Sequence, residues 1–254
     1  MLELHERIAA TALPALEHYG FVLAGGYAIT MHGFGDRPSA DVDLFTADTD
    51  PEHFTAALAV LHQVLADAGF QVTDLRIRPL FADLHVREPA TGLSSDLQLG
   101  MNPRVFPPPT LTIGPVLDVR DAIGAKMSAL YGRGEARDFI DIATVIESAR
   151  FTCDQVVALG DAQEAQPMDR TILREQFRAA GRWTVDDYDR YGVDSERRER
   201  IIATFTDWAE SLHLQGQPGG TVSWERVGPP PPVPPDPDVN VSGDLNRDRL
   251  GPIH

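Results

Sequence analysis

The sequence predicts an α+β fold: a strand-bearing α/β half over residues 1–110, a helical lobe over 111–215, and a disordered Pro-rich tail over 216–254. Three observations predict it. In the first part, short apolar runs alternate with helical patterns and turn residues. From residue 118 onward, apolar residues recur almost only at helical spacing. From Gly216, glycine, proline and polar residues dominate, with "GPPPPVPPDPD" at 228–238. Such a composition cannot bury enough apolar surface to offset the entropy of ordering.

Residues 3–19 read as an amphipathic helix, followed by a short apolar strand, "FVLA", at 21–24. Gly25-Gly26 makes a turn into a helix over "YAITMHG", and "DVDLF" at 41–45 is the next strand. Asp50-Pro51 supplies an N-cap and a first-turn proline for a helix over 51–68, along which Phe54, Leu58, Leu61 and Leu65 recur at helical spacing. Strands follow at 70–77, 81–87 and 94–99. In the last, Leu97 and Leu99 face one way while Asp96 and Gln98 face the other. "NPRVFPPPT" at 102–110 is an extended connector. Helices over 118–131 and 135–149 pair across "YGRGEA", and weaker helices cover 154–160, 169–180 and 195–213.

The 254 residues can bury one substantial core with a smaller helical lobe. The formal net charge of -16 disfavours a broad basic nucleic-acid footprint while leaving room for a small basic patch, such as Arg197, Arg198 and Arg200 in "SERRERI". For those arginines a solvated helix face is the leading reading. Cys153 is the single cysteine, so no internal disulfide or thiolate metal cage forms, and the reducing cytoplasm is the expected location. The N-terminus has no signal-peptide core, and no apolar run approaches the roughly 20 residues of a membrane span.

Asp41 and Asp43 stand two apart on a strand, so both project from one face, about 7 Å apart along the chain. Val42 and Leu44 point the other way. Such carboxylates read either as a solvent-facing strand edge or as ligands for Mg²⁺, which takes hard oxygen donors and keeps waters for phosphate. A metal site calls for a third carboxylate from a neighbouring strand. Asp96 is best placed, with Asp83 and His85 in competition. Gly25-Gly26, between a strand and a helix, is either a tight turn or an anion cradle of exposed N–H groups. Ser39 is a turn hydroxyl or a donor to a phosphate oxygen.

A second unusual stretch is "DAIGAKMSALYGRGEARDFIDIATVI". Lys126 borders the apolar stripe of Val119, Ile123, Met127 and Leu130, either snorkelling past it or reaching back to a triphosphate. Asp138 and Asp141 share a face of the next helix among apolar neighbours. Buried carboxylates need partners, and Arg133, Arg137 and Lys126 are available for a salt-bridge network.

"GGYAITMHGFGDRPSADVDLF" together with "KMSALYGRGEARDFIDI" resembles the AbiEii/AbiGii-type toxin family of nucleotidyltransferases, within the DNA polymerase β-like superfamily. The resemblance spans roughly residues 20–150. It implies a mixed β-sheet flanked by helices, with an added helical C-terminal lobe that completes the active site. It implies transfer of a nucleotide from an NTP, with Mg²⁺ on Asp41 and Asp43; Asp96 as third ligand or base is assigned by its strand position and face. Gly25, Gly26 and Ser39 would line the triphosphate and Lys126 would contact it. Asp138 and Asp141 match the later acidic motif, the first as a catalytic group and the second at the nucleotide. A cognate antitoxin is the implied protein partner, and the tRNA acceptor end the implied substrate. Alternatives are a small-molecule, aminoglycoside-type acceptor, or a nucleotide-binding component without turnover. One departure is visible: Tyr27 stands where the superfamily pattern usually has serine after the two glycines.

Overall fold

A computed structural model describes residues 3–35, 37, 39, 41–214 and 223–228. Helix α1 (Leu4–Leu16) ends in a 3-10 turn at Glu17–Tyr19, and Gly20 closes it in the left-handed region. Strand β1 (Val22–Leu23) leads into α2 (Gly25–Met31), so the expected glycine turn is the first turn of the helix itself. Strand β2 (Asp41–Thr46) precedes α3 (Pro51–Asp67), whose N-cap Asp50 accepts a hydrogen bond from the Glu52 N–H.

Strands β3 (Gln71–Arg78), β4 (Phe81–Arg87) and β5 (Ser94–Met101) complete a five-stranded sheet of order β1-β2-β5-β4-β3. The β2–β5 pairing is parallel and the others are antiparallel, which makes the sheet mixed, as the resemblance implied. Its register builds two unlike faces. Val42, Leu44, Ala82, Leu84, Val86, Leu97 and Leu99 are buried on one, in a common core with apolar residues of α1 and α3. The other collects Asp41, Asp43 and Phe45 of β2, Asp96 and Gln98 of β5, and Phe81, Asp83 and His85 of β4.

The expected connector at 102–110 leads into a short hairpin, β6 (Thr110–Leu111) and β7 (Gly114–Pro115), which the sequence reading did not include. The helical lobe comprises α4 (Val119–Gly132), α5 (Ala136–Glu147), α6 (Cys153–Gln163), α7 (Arg170–Arg178), α8 (Val185–Asp189) and α9 (Ser195–Leu214). Helix α8 is an addition to the sequence reading. Phe139, Phe177, Phe205 and Trp208 knit α5, α7 and α9 together, with ring centroids 4.5–5.8 Å apart.

Of the tail expected to be disordered, residues 223–228 are described. There Trp224–Arg226 forms a 3-10 turn, Trp224 meets the Phe106 ring edge-on at 6.2 Å, and Val227 is buried. The rest of that expectation lies outside the described residues. Among the described residues, no helix is long and apolar enough to cross a membrane.

Candidate active site

The second sheet face, α2 and α4 enclose a cleft of about 170 Å³. Asp41 and Asp43 form its floor, with Gly25 and Gly26 on one side and Arg37, Lys126, Arg133 and Arg137 around it. Gln98, Phe45 and the small side chains Ala122, Ala125 and Ala129 of α4 complete the wall.

The glycines earn their place sterically. Gly25 has φ +62, and a Cβ there would stand 1.7 Å from Asp43 Oδ2. Only a bare α-carbon lets the helix start against that carboxylate. The contact is tied down by the Ala24 N–H, which donates to the Asp43 carbonyl at 2.8 Å. At Gly26 a Cβ would come within 2.7 Å of Arg37 Nη2 and 3.2 Å of Ser39 Oγ. The N–H groups of a helix's first turn lack intrahelical acceptors, and at α2 these belong to Gly25, Gly26 and Tyr27.

Burial and the neighbouring charge of Asp41 push the Asp43 carboxyl up to about 6, although Lys126, Arg137 and Arg133 pull it down. Asp41 is engaged loosely: Ser39 Oγ lies 3.4 Å and Arg137 Nη1 3.5 Å from its two oxygens. Two crowded carboxylates, short of compensating charge and offering hard oxygens, suit a divalent cation. Among the described residues no cluster of three or more His, Cys, Asp or Glu side chains could hold a metal. Among the described residues, Asp41 and Asp43 are the carboxylates that line the cleft and could hold such an ion.

Asp141 sits behind the cleft and organises it. Its oxygens accept from Arg37 Nε at 2.8 Å and Arg37 Nη2 at 3.0 Å, and Lys126 Nζ lies 2.8 Å away. Burial alone would raise the Asp141 carboxyl, yet Lys126 and Arg37 outweigh it and hold it below the usual carboxylate range. Lys126 is thus anchored at the cleft wall, not snorkelling to open solvent. Asp138 is fully buried and does not line the cleft. Its carboxylate takes both Arg133 nitrogens at 3.0 Å and the Glu135 N–H at 3.1 Å, closing the capping box of α5. Its geometry is that of a residue positioning Arg133.

Asp96 lies in register with Asp41 on the adjacent parallel strand, on the expected face. Its side chain is 52% exposed, stands 2.8 Å from His85 Nδ1, and does not line the cleft. The cleft residue of β5 is Gln98, opposite Asp43. Arg197, Arg198 and Arg200 are engaged elsewhere: with Thr144 and Glu147, with the Trp183 and Gly181 carbonyls, and with Glu196. The expected basic patch is therefore a set of braces between helices and a surface ion pair. Sequence reasoning missed Arg37, Gln98 and Phe45. The signal available for Arg37 was a lone cation in the "GDRPSAD" loop ahead of the aspartates.

A mixed sheet with paired carboxylates on its open face, a helix opening on glycines beside them and a ring of cations opposite is the arrangement of a nucleotidyltransferase. The family profile described as "Nucleotidyl transferase AbiEii toxin, Type IV TA system" matches residues 9–212, and the chain belongs to this family. It is accordingly a nucleotidyltransferase of the toxin–antitoxin class. Three solved structures share the fold. JHP933 from Helicobacter pylori is 14% identical, with a TM-score of 0.52 over 83% of this chain and 91% of that one. A putative nucleotidyltransferase from H. pylori is 16% identical, with a TM-score of 0.52 over 83% and 94%. MenT4, a nucleotidyltransferase toxin from Mycobacterium tuberculosis, is 18% identical, with a TM-score of 0.54 over 82% and 83%. No curated protein matches the chain in sequence.

Proposed function

We propose that the chain is the toxin of a toxin–antitoxin pair and transfers a nucleoside monophosphate from an NTP to the acceptor end of tRNA, with Mg²⁺ as the metal. The observation that carries this reading is the opposition of charges in one cleft: Asp41 and Asp43 on the sheet face Arg37, Lys126, Arg133 and Arg137. The triphosphate lies against the cations, and the first turn of α2 offers N–H groups to its oxygens. Asp141 pairs with Arg37 and Lys126, so their charge is shared with a third carboxylate and only partly offsets that of Asp43. Mg²⁺ on Asp41 and Asp43 would supply Lewis-acid neutralisation of phosphate oxygens. The acceptor hydroxyl oxygen bonds to the α-phosphorus. The bond from that phosphorus to the α–β bridging oxygen breaks, pyrophosphate leaves with the electron pair, and the hydroxyl proton is released to solvent.

The test is transfer of label from each α-³²P-NTP, with Mg²⁺, into RNA, protein and small-molecule fractions. The control is the Asp41→Ala, Asp43→Ala double variant. Label in a tRNA band that the variant abolishes is the expected result. Label confined to small molecules would replace the acceptor. NTP binding without any transfer would leave a nucleotide-binding component.

A further inference from the structure

A second cavity, of about 290 Å³, adjoins the cleft between the N-terminal turn of α1 and the outer side of α2. Arg37 and Ser39 line both spaces, so they form the partition between them. The neighbouring wall carries Glu3, the N-cap of α1, Glu6 and His5 from its first turn, and Tyr27 from α2. Asp41 is near enough for its charge to act on His5.

The two spaces have opposite chemistry. The cleft presents four cations to its carboxylate pair, and it is small for two substrates at once. The adjoining cavity presents carboxylates, with its one cation, Arg37, already bound to Asp141. Glu3 and Glu6 cap each other's backbone at the start of α1, which fixes both carboxylates while leaving each spare lone pairs. His5 is held toward its neutral form by burial, against the charges of Glu3 and Asp41. Burial and the same two glutamates push the Tyr27 phenol up to about 12, so it stays a neutral ring with a donor O–H. The His5 and Tyr27 rings meet edge-on, with centroids 5.7 Å apart at 74°, and make an aromatic corner beside the carboxylates.

Tyr27 also explains its own departure from the serine of the superfamily pattern. Its side chain lines this cavity and not the nucleotide cleft. Tyr27 therefore builds a ring into the space next door instead of offering a side chain to the cleft.

Resting on the transferase reading, we propose that this cavity recognises the acceptor and takes an amine-bearing group, either the amino edge of a nucleobase or the amine of a small molecule. Carboxylates accept from exocyclic amino groups and from ammonium groups, and they repel phosphate. A ring held at the His5–Tyr27 corner would present the acceptor's hydroxyl across the Ser39 partition to the α-phosphorus in the cleft. Orientation of the second substrate would then depend on residues that do not touch the nucleotide.

The test is binding, which needs no turnover. Cytidine, uridine and an aminoglycoside are titrated separately into the wild-type chain and the Glu3→Gln, Glu6→Gln double variant, followed by saturation-transfer NMR. Glutamine preserves the reciprocal capping of α1, and a thermal melt verifies that the variant is folded. Cytidine, with its 4-amino group, is expected to bind about tenfold tighter than uridine, with the preference lost in the variant. NTP affinity in the cleft stays within about twofold. Tight aminoglycoside binding that the variant abolishes assigns the small-molecule source, and cytidine preference without it assigns a nucleobase. Equal binding of both nucleosides with no aminoglycoside binding overturns the proposal, as does a preference that survives in the variant. A wild type that shows the preference yet transfers no label defeats the transferase reading and not the chemistry of the cavity.

Discussion

Replacing Asp43 with asparagine should make the metal-free protein more stable at neutral pH, although it removes a residue of the site. The carboxyl is pushed from its usual 3.8 to about 6 by burial and by the charge of Asp41. A group whose folded pKa is raised gives its full stability below the unfolded value and loses it as pH rises through the folded value. The wild type therefore weakens between about pH 4 and pH 6, and asparagine, which does not titrate, escapes the loss. At 1.36 kcal/mol per pKa unit the full difference is about 3 kcal/mol, and partial solvent access reduces it to roughly 1.5–3 kcal/mol. For a folded body of this size that is a Tm higher by roughly 3–10 °C. The assay is thermal unfolding of both chains in EDTA from pH 4 to pH 8, comparing their difference at each pH. The curves should converge near pH 4 and separate above pH 6. Added Mg²⁺ should then raise the wild-type Tm and leave that of the variant unchanged. A variant equal to or less stable than wild type at pH 7.5 in EDTA would refute the account of a strained carboxylate pair awaiting a cation.

Gly25→Ala should cost about 1–2 kcal/mol for its left-handed backbone. It should also displace Asp43, whose Oδ2 stands 1.7 Å from the new Cβ, and abolish label transfer. Gly26→Ala meets the ends of two movable side chains, Arg37 at 2.7 Å and Ser39 at 3.2 Å, and should keep its Tm within a few degrees while raising the NTP KM. Asp141→Asn removes the counter-charge of Arg37 and Lys126 and should cost about 3–5 kcal/mol in urea unfolding at pH 7. Because the Asp141 carboxyl is held below its usual range, that gap should narrow as pH falls through the range where it protonates. Asp96→Asn should lower kcat less than about tenfold, whereas Asp41→Asn should remove nearly all turnover, since Asp96 is committed to His85 outside the cleft. Arg200→Ala breaks only an exposed pair with Glu196 and should leave acceptor KM and stability almost unchanged.

Much of this organisation was legible in the chain because it is local. The alternation of "DVDLF" states that Asp41 and Asp43 share a face and that Val42 and Leu44 anchor it, whatever the strand pairs with. Asp50-Pro51 writes the start of α3, and the stripes around Lys126 and Asp138 write the α4–α5 pair. The alternative reading of Asp138, as a salt-bridge partner, describes the contacts observed, whereas the solvated helix face read for "SERRERI" describes Arg200 but not Arg197 and Arg198, which bond to other elements.

What the sequence by itself determined, then, is which residues lie on which face of which element, because side-chain periodicity follows from backbone geometry alone. Only the tertiary structure decided which faces meet. It joined Arg37 to Asp141 across 104 positions, placed Gln98 rather than Asp96 against the cleft, and turned Tyr27 into a second cavity. Those pairings depend on strand register, on helices docking from distant parts of the chain, and on the room a glycine leaves beside a carboxylate. None of these is a property of a short stretch of sequence.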